Sequence, residues 1–269
     1  MKHSNIEQIL IQSQSLNKNM NSLVYLPKEY DGSSQFPVLY FLHGRNGNEN
    51  ILYDIALDNV ADRMIQEGKI NPLIIVCPCI DNSRGMNSQS VYKEIPDPCD
   101  SKRKIHLGRY EDYLINELIK TIDSTFCTID NRSCRYIGGA SGGGYAALHN
   151  AFRHQNLFSK VGGHMPAIEI ALEEEDKLFF SSQSLWNNYD PISIAKNQDL
   201  IDIDVYLDCG DHDEGGFYRG CSILHTILQE KGVNSQYYLN QGHHSIDYIK
   251  ANLENYLLFY NRFLPTPTL

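Results

Sequence analysis

Apolar runs and amphipathic segments alternate along most of the chain. Residues 36–44 (FPVLYFLHG) and 72–78 (PLIIVCP) are short, continuous apolar stretches that end in turn residues. This pattern is typical of strands that are buried on both faces of a parallel sheet. The residues between them predict one helix that ends near Gly68. Its apolar positions recur at helical spacing: Ile51, Leu52, Ile55 and Ala56.

The same alternation continues beyond the second of these strands. Residues 109–126 predict a long helix with an apolar i, i+4 stripe made by Leu114, Leu118 and Ile122. After it, strands are predicted at 134–140, 204–210 and 235–242, and helices at 143–154, 217–232 and 245–260. Residues 7–27 read as two alternating strands joined by a polar turn. The sequence therefore predicts an α/β fold: a mostly parallel central sheet, helices on both faces, and an antiparallel N-terminal edge hairpin.

One segment interrupts the alternation. Residues 167–191 contain an acidic run, a pair of phenylalanines and the only tryptophan. We interpret them as a surface helix and loop rather than as a cap that shapes a substrate site. No segment has the composition of a linker between domains, so the sequence predicts a single domain over residues 1–269.

Charge and composition narrow the class of partner. The formal net charge is -10 and no stretch is rich in lysine and arginine, which argues against nucleic acid or an anionic membrane. The partner we expect is a small molecule. The N-terminus has no apolar region of signal-peptide length, and no stretch approaches the ~18 apolar residues of a membrane span. We expect a cytoplasmic protein, and the scattered positions of its seven cysteines favour reduced thiols over disulfides.

Five glycines surround Ser141 in residues 137–148 (IGGASGGGYAAL). Residues 139–143 match G-x-S-x-G and lie between a predicted strand and a predicted helix, the setting of a nucleophile elbow. Glycine at 139 and at 143 would remove side chains that collide in so sharp a turn. Apolar segments on both sides argue against a flexible linker, and no lysine follows for a phosphate-binding loop. A dinucleotide fold would place its glycines after the first strand, whereas several elements precede these.

A serine hydroxyl needs a histidine to take its proton and a carboxylate to orient that histidine. Acidic candidates follow the predicted strand 204–210: Asp208, Asp211, Asp213 and Glu214. Histidine candidates follow the next strand: His243 and His244. Other histidines lie on predicted helices and are interpreted as surface or packing residues: His149, His154 and His225. The residues alone leave the choice among neighbours open. The spacing matches no metal motif, and we expect neither a metal ion nor an organic cofactor.

Acyl transfer also requires backbone N–H groups that face the oxygen on which charge develops. The residue after the nucleophile supplies one donor in elbow enzymes, which here is Gly142. The loop after the predicted strand 36–44 supplies the other, because Gly44 lets the chain turn and leaves the Arg45 N–H as the donor. These two groups form the predicted oxyanion hole.

With these residues identified, the chain resembles the esterase D-like family of α/β hydrolases. That family includes feruloyl esterases, S-formylglutathione hydrolases, tributyrin-type esterases, siderophore-ester hydrolases and mycolyltransferases. Four segments, which together reach nearly from end to end, carry the resemblance: SLVYLPKEYDGSSQFPVLYFLHG (22–44), RYEDYLINELIKTIDSTFCTIDNRSCRYIGGASGGG (109–144), VYLDCGDHD (205–213) and QGHHSIDYIKANLENYLLFY (241–260).

The resemblance places the nucleophile on Ser141, the acid on Asp213 and the histidine on His244. It also implies the donors Arg45 and Gly142. Three positions depart from the family pattern: Gly142 where a bulky residue is frequent, Arg45 where an uncharged residue is common, and Ile246 where an aromatic residue is frequent. We interpret the Arg45 side chain as pointing into water rather than selecting an acidic substrate.

These observations predict a serine carboxylic-ester hydrolase that forms an acyl-enzyme from a small acyl or aryl ester. Two alternatives stay open: an acyltransferase of the same fold, and a non-catalytic binding protein that keeps the fold. No feature of the sequence indicates an oligomeric state.

Overall fold

The computed structural model describes residues 3–98, 100–174 and 176–261. Its strands are β1 (Asn5–Ser13), β2 (Lys18–Leu26), β3 (Val38–Leu42), β4 (Ile74–Pro78), β5 (Lys93–Asp97), β6 (Asp100–Leu107), β7 (Arg135–Ala140), β8 (Lys160–His164), β9 (Asp204–Gly210) and β10 (Ser235–Asn240). Its helices are α1 (Ile51–Asp54), α2 (Leu57–Gln66), α3 (Tyr110–Asp112), α4 (Ile119–Thr125), α5 (Gly142–Arg153), α6 (Gln183–Tyr189), α7 (Pro191–Asn197), α8 (Tyr218–Glu230) and α9 (Ile246–Tyr260). A π-helical segment, Tyr113–Leu118, joins α3 to α4.

Eight strands form one sheet in the order β1-β2-β4-β3-β7-β8-β9-β10. Strand β1 pairs antiparallel with β2, and β2 pairs antiparallel with β4. All other pairs in this sheet are parallel. The mostly parallel sheet and its antiparallel N-terminal edge hairpin confirm the prediction from the hydrophobic pattern.

Two neighbouring glycines of β8 show that helices cover both faces of the sheet. A Cβ atom on Gly162 would lie 2.0 Å from the Tyr260 hydroxyl on α9, and one on Gly163 would lie 2.8 Å from Leu148 on α5. Successive residues of a strand point to opposite faces. Helices α9 and α5 therefore pack on opposite sides, as predicted, and they approach closely because β8 carries no side chain at these positions.

The long helix after β6 keeps its predicted apolar stripe. Leu114, Leu118 and Ile122 are all buried, even though the π-helical segment lies between α3 and α4.

No helix in the described part of the chain is long and apolar enough to cross a membrane.

The prediction of one helix between β3 and β4 is wrong, because the chain forms α1 and α2 with a break at Ala56. Ala56 adopts a left-handed conformation with φ of 56°. A continuous helix turns about 100° per residue, so it would place Leu57 about 160° away from Ile55. The break turns the second helix so that both side chains are buried.

The interpretation of residues 167–191 as a surface helix and loop is wrong. Phe179, Phe180 and Trp186 are buried in a second apolar cluster, separate from the main core. This cluster also contains side chains from the β5–β6 hairpin and from α5; its buried members are Met86, Ile105, Leu107, Tyr145, Phe179, Phe180, Trp186 and Tyr189. The segment is therefore packed against the hairpin rather than lying free on the surface.

The sheet places its functional loops at one edge. Strands β3, β7, β9 and β10 run parallel, so the residues that follow them emerge at the same end of the sheet. In open α/β sheets, this carboxyl edge is where ligands bind. The residues that follow these strands are the ones that the sequence identified as candidates for chemistry.

Candidate active site

Ser141 occupies a strained turn between β7 and α5. Its φ of 56° and ψ of -120° are uncommon for a residue with a side chain, and such conformations cost on the order of 1–3 kcal/mol. A Cβ atom on Gly139 would lie 2.6 Å from the Gly143 and Leu42 backbones, and one on Gly143 would lie 2.3 Å from the Leu42 carbonyl oxygen. Both glycines are therefore required by backbone contacts, as the G-x-S-x-G spacing predicts.

Ser141, His244 and Asp213 form one continuous hydrogen-bonded chain. The Nε2 atom of His244 lies 2.8 Å from the Ser141 Oγ atom, and its Nδ1 atom lies 2.6 Å from Asp213 Oδ2. The Asp213 side chain is fully buried, whereas 22% of the His244 side chain is exposed. The imidazole can therefore exchange a proton with the hydroxyl on one side while the carboxylate fixes its orientation on the other.

The carboxylate of Asp213 is stabilised in its charged form. Burial alone would raise the pKa of Asp213, but hydrogen bonds from His244, Cys209 and the Gly215 backbone outweigh it and hold the pKa below its usual value. The Cys209 thiol lies 3.2 Å from Oδ2, and the Gly215 N–H donates to Oδ1 at 2.9 Å. Asp213 is therefore ionised at neutral pH.

Neighbouring residues that the sequence left open have other partners. His243 pairs with Glu214 at 2.8 Å, and both side chains are exposed. Asp211 pairs with His212 at 2.6 Å. These residues lie around the Ser141–His244–Asp213 chain without joining it.

The remaining candidates lie farther away. Asp208 is buried and accepts a hydrogen bond from Tyr256 at 2.8 Å. Three histidines also have local partners elsewhere in the structure: His149 contacts the Arg84 carbonyl, His154 contacts Glu111, and His225 contacts Ser235. None of these three contacts involves Ser141.

The loop after β3 lies against the elbow. A Cβ atom on Gly44 would lie 3.2 Å from Ser141 Cβ, and one on Gly142 would lie 3.7 Å from the Arg45 nitrogen. The Arg45 backbone nitrogen therefore lies close to Gly142, beside Ser141. Because residue 142 is glycine, no side chain fills the space between them.

A buried histidine fixes this loop. The Ile80 N–H donates to Nε2 of His43 at 2.9 Å, and Nδ1 lies 2.8 Å from the Gly44 carbonyl oxygen. Burial lowers the pKa of His43, so the ring is neutral at pH 7 with its proton on Nδ1. A neutral ring can make both bonds, one as acceptor and one as donor.

The Arg45 side chain is 38% exposed, so the interpretation that it points into water is correct only in part, because its guanidinium is also held by a carboxylate. Its Nη2 atom lies 2.5 Å from Oδ2 of Asp97, a buried residue at the end of β5. No sequence pattern indicates this pair, because the β5–β6 hairpin was not predicted.

A cavity of about 420 Å³ opens beside Ser141 and His244. Part of its wall is apolar and comes from the loop after β4, the β5–β6 hairpin and the segment 167–191: Ile80, Ile105, Leu178 and Phe179. Phe217 packs edge-on against the His244 ring with centroids 5.3 Å apart. This volume lies in the usual range of small-molecule binding pockets.

A buried charge cluster forms another part of the cavity wall. Arg84 lies 2.5 Å from Asp176 and 3.4 Å from Glu169, and its guanidinium stacks between the rings of Tyr145 and Phe179. Burial alone would lower the pKa of Arg84, but the two carboxylates outweigh it and hold the pKa above its usual value. Arg84 was not identified from the sequence as a residue of the site, because its partners Glu169 and Asp176 lie about a third of the chain length further on.

Within the described residues, no group of three or more His, Cys, Asp or Glu side chains could hold a metal ion. The described cysteines are free thiols: Cys77, Cys79, Cys127, Cys134, Cys209 and Cys221.

The sheet order, the elbow and the Ser–His–Asp geometry define the α/β-hydrolase fold. A solved structure described as a ferulic acid esterase superposes with a TM-score of 0.82 at 21% identity, covering 97% of this chain and 99% of that one. An S-formylglutathione hydrolase from Agrobacterium tumefaciens superposes with a TM-score of 0.75 at 16% identity, covering 97% of this chain and 95% of that one.

Residues 13–257 match the family described as Putative esterase, and the chain belongs to that family. It is 30% identical over 170 residues to an endo-1,4-beta-xylanase/feruloyl esterase from Xylanibacter ruminicola, which covers 60% of this chain and 22% of the relative. It is 24% identical over 268 residues to an S-formylglutathione hydrolase from Arabidopsis thaliana, covering 91% of this chain and 88% of the relative. The chain thus spans about a fifth of the length of the first relative.

Proposed function

We propose that the protein is a serine carboxylic-ester hydrolase. The observation that carries this proposal is the hydrogen-bonded chain from Ser141 Oγ through His244 to Asp213, with distances of 2.8 and 2.6 Å, beside an open cavity. Membership of the esterase family and the names of the relatives support the same reaction class.

In the proposed reaction, Ser141 Oγ attacks the ester carbonyl carbon while His244 Nε2 takes the hydroxyl proton. Asp213 stabilises the cationic imidazole that results. The backbone N–H groups of Arg45 and Gly142 bind the oxyanion. The alcohol leaves with the proton from His244, and water then attacks the acyl-enzyme with the same histidine as base, which releases the acid and restores Ser141.

The cavity favours an uncharged acyl group with apolar surface. Ile105 offers a branched apolar contact and Phe179 offers a flat one. Arg84 and Glu169 offer polar atoms that also line the cavity. We therefore propose an ester of an aromatic acid as the preferred substrate, in keeping with the feruloyl esterase names among the relatives.

The charges around the cavity argue against an anionic substrate such as S-formylglutathione, whose peptide carries two carboxylates and one ammonium group. The cations that line the cavity are already paired: Arg45 with Asp97, and Arg84 with Asp176 and Glu169. Asp54 adds a negative charge to the lining, whereas Asp81 is itself paired with Lys18 at 2.8 Å. Like charges in a partly desolvated site repel.

The test compares initial rates on methyl ferulate, p-nitrophenyl acetate and S-formylglutathione, using purified wild type and Ser141→Ala. We expect kcat/KM to be highest for methyl ferulate and hydrolysis to be abolished in the variant. Equal rates for wild type and Ser141→Ala would contradict the proposed mechanism. A preference for S-formylglutathione would overturn the proposed substrate class and leave the reaction class intact.

A further inference from the structure

The Arg45 side chain connects the loop after β3 to the β5–β6 hairpin. The Asp97 carboxylate in this pair is 1% exposed, while 38% of the Arg45 side chain is exposed. A cation beside a buried carboxylate stabilises its charge, so Asp97 favours conformations in which the guanidinium stays beside it. The ion pair therefore restricts where residue 45 can lie.

A second bridge joins the same two elements at the next residue. The Asn46 N–H donates to the Asn82 side-chain oxygen at 2.6 Å, and the Asn82 amide nitrogen donates to the Lys104 carbonyl oxygen at 2.8 Å. The His106 N–H donates to the Asn82 carbonyl oxygen at 3.1 Å. Strand β6 thus holds Asn46 through Asn82, as the end of β5 holds Arg45 through Asp97.

Arg45 and Asn46 are the central residues of a tight turn. The Gly47 N–H donates to the Gly44 carbonyl oxygen at 3.1 Å, which closes the turn. Asn46 has a positive φ of 63°, a conformation that asparagine tolerates better than most residues at this turn position. The Arg45 N–H belongs to the first peptide plane of this turn, so a shift of the backbone at residue 45 changes the direction of that N–H group.

We propose that Asp97 is a positioning residue for the oxyanion hole. Through its ion pair with the Arg45 guanidinium, it holds the Arg45 N–H in the direction that the tetrahedral intermediate requires. This inference rests on the proposed function, because an oxyanion hole has a role only if Ser141 attacks an ester. The Arg45 nitrogen already lies beside Gly142, so the pair needs only to keep it there.

Loss of the Arg45–Asp97 ion pair should affect binding of the transition state rather than binding of the substrate. Misplacing an oxyanion donor weakens binding of the developing negative charge far more than binding of the uncharged ester. Loss of the ion pair should therefore lower kcat and leave KM nearly unchanged. A role confined to stability would lower the melting temperature without this separation of kcat from KM.

The experiment uses Asp97→Asn, Arg45→Gln and the double variant. Glu94→Gln is the matched control, since Glu94 lies on the same hairpin and pairs with Lys104 at the exposed surface, away from the cavity. Steady-state kinetics on p-nitrophenyl acetate give kcat and KM, and a trifluoromethyl ketone gives the affinity for a tetrahedral adduct. Circular dichroism melting checks that each variant is folded.

We expect kcat to fall roughly 10-fold in Asp97→Asn and in Arg45→Gln, somewhat less than the loss of a whole oxyanion donor. The ketone should bind more weakly by a similar factor, and the double variant should match the single ones. Arg45→Gln keeps the test valid if Asp97→Asn does not fold. It removes the same ion pair by changing Arg45, which is the more exposed of the two partners.

Two outcomes would overturn the inference while the proposed function stands. In the first, the wild type is active and both Asp97→Asn and Arg45→Gln are as active as Glu94→Gln. In the second, the losses of kcat in the two single variants multiply in the double variant. An inactive wild type that no fluorophosphonate labels would instead overturn the proposed function, and this inference with it.

Discussion

Ser141 and His244 are 103 positions apart in the chain, and their Oγ and Nε2 atoms lie 2.8 Å from each other. The loop that carries His244 is held from two sides. Its backbone N–H donates to Glu214 at 3.1 Å, and the next residue, Ser245, caps α9 by accepting the Tyr248 N–H. The start of α9 therefore fixes the position of the His244 imidazole relative to Ser141.

Substituting the acid tests its proposed orienting role. Asp213→Asn keeps the size of the side chain and removes the charge that favours the correct imidazole tautomer. We expect kcat to fall by about 10⁴, compared with about 10⁶ for Ser141→Ala. The measurement is steady-state kinetics on p-nitrophenyl acetate, with Asp211→Asn as the control because Asp211 contacts His212 and the Gly242 N–H rather than the His244 ring. A larger loss in Asp211→Asn than in Asp213→Asn would refute this assignment.

The elbow glycines should differ sharply in their tolerance of alanine. Gly143→Ala would place a Cβ atom 2.3 Å from the Leu42 carbonyl oxygen, so the β7–α5 turn has to move. Gly142→Ala places its Cβ no closer than 3.7 Å to the Arg45 nitrogen. We expect thermal melting to show a severely destabilised or unfolded Gly143→Ala and a Gly142→Ala that melts near the wild type. Equal melting temperatures would contradict the steric account.

Phe179 and Phe180 offer a matched pair for the cavity. Both are buried in the second apolar cluster, but Phe179 lines the cavity and Phe180 is not among the lining residues. Each alanine substitution should cost about 3–5 kcal/mol of stability. We expect Phe179→Ala alone to raise KM for methyl ferulate several-fold. The comparison is made below both melting temperatures, and an equal rise in KM for Phe180→Ala would show that the effect is not local.

Acid should destabilise the fold through buried histidines. Burial lowers the pKa of His149 from 6.5 to about 4, even though the nearby Glu111 charge raises it, and burial also lowers the pKa values of His43 and His164. The unfolded chain takes up these protons below about pH 6.5, while the folded protein does not, so stability is lost as the pH falls from 6.5 towards 4.

His149 contributes on the order of 1 kcal/mol per pH unit within that window, and His43 and His164 act in the same direction. Urea unfolding at pH 7.5, 6 and 5 measures the slope. We expect His149→Gln to be less stable than the wild type at pH 7.5 and to lose less further stability on going to pH 5. The same pH dependence in variant and wild type would exclude His149 as a source of the slope.

The elbow was predictable because its requirements are local. Gly139 and Gly143 lie within two positions of Ser141, and the backbone atoms that exclude a side chain belong to the same turn or to the adjacent β3. The alternation of strands and helices was predictable for the same reason. Strand β8 was missed because Gly162 and Gly163 remove its apolar signal, and only packing against Tyr260 and Leu148 explains them.

Long-range partners could not be read from the pattern. The sequence supports His243 and His244 equally, and the choice depends on Glu214, which takes the His243 side chain and the His244 N–H. The Arg45 side chain pairs with Asp97, which lies 52 positions later in the chain. Asp97 belongs to a hairpin whose strands carry mostly polar residues. In each case the deciding contact is made only once the sheet is assembled.

The most direct test of the account is covalent labelling of Ser141 by a fluorophosphonate, followed by intact and peptide mass spectrometry. The account predicts one phosphonyl group per chain, located on the peptide that contains Ser141, no labelling of Ser141→Ala, and labelling slowed by orders of magnitude in His244→Ala. A wild-type protein that stays unlabelled, or one that is labelled at another residue, would contradict the claim that Ser141 is the activated nucleophile.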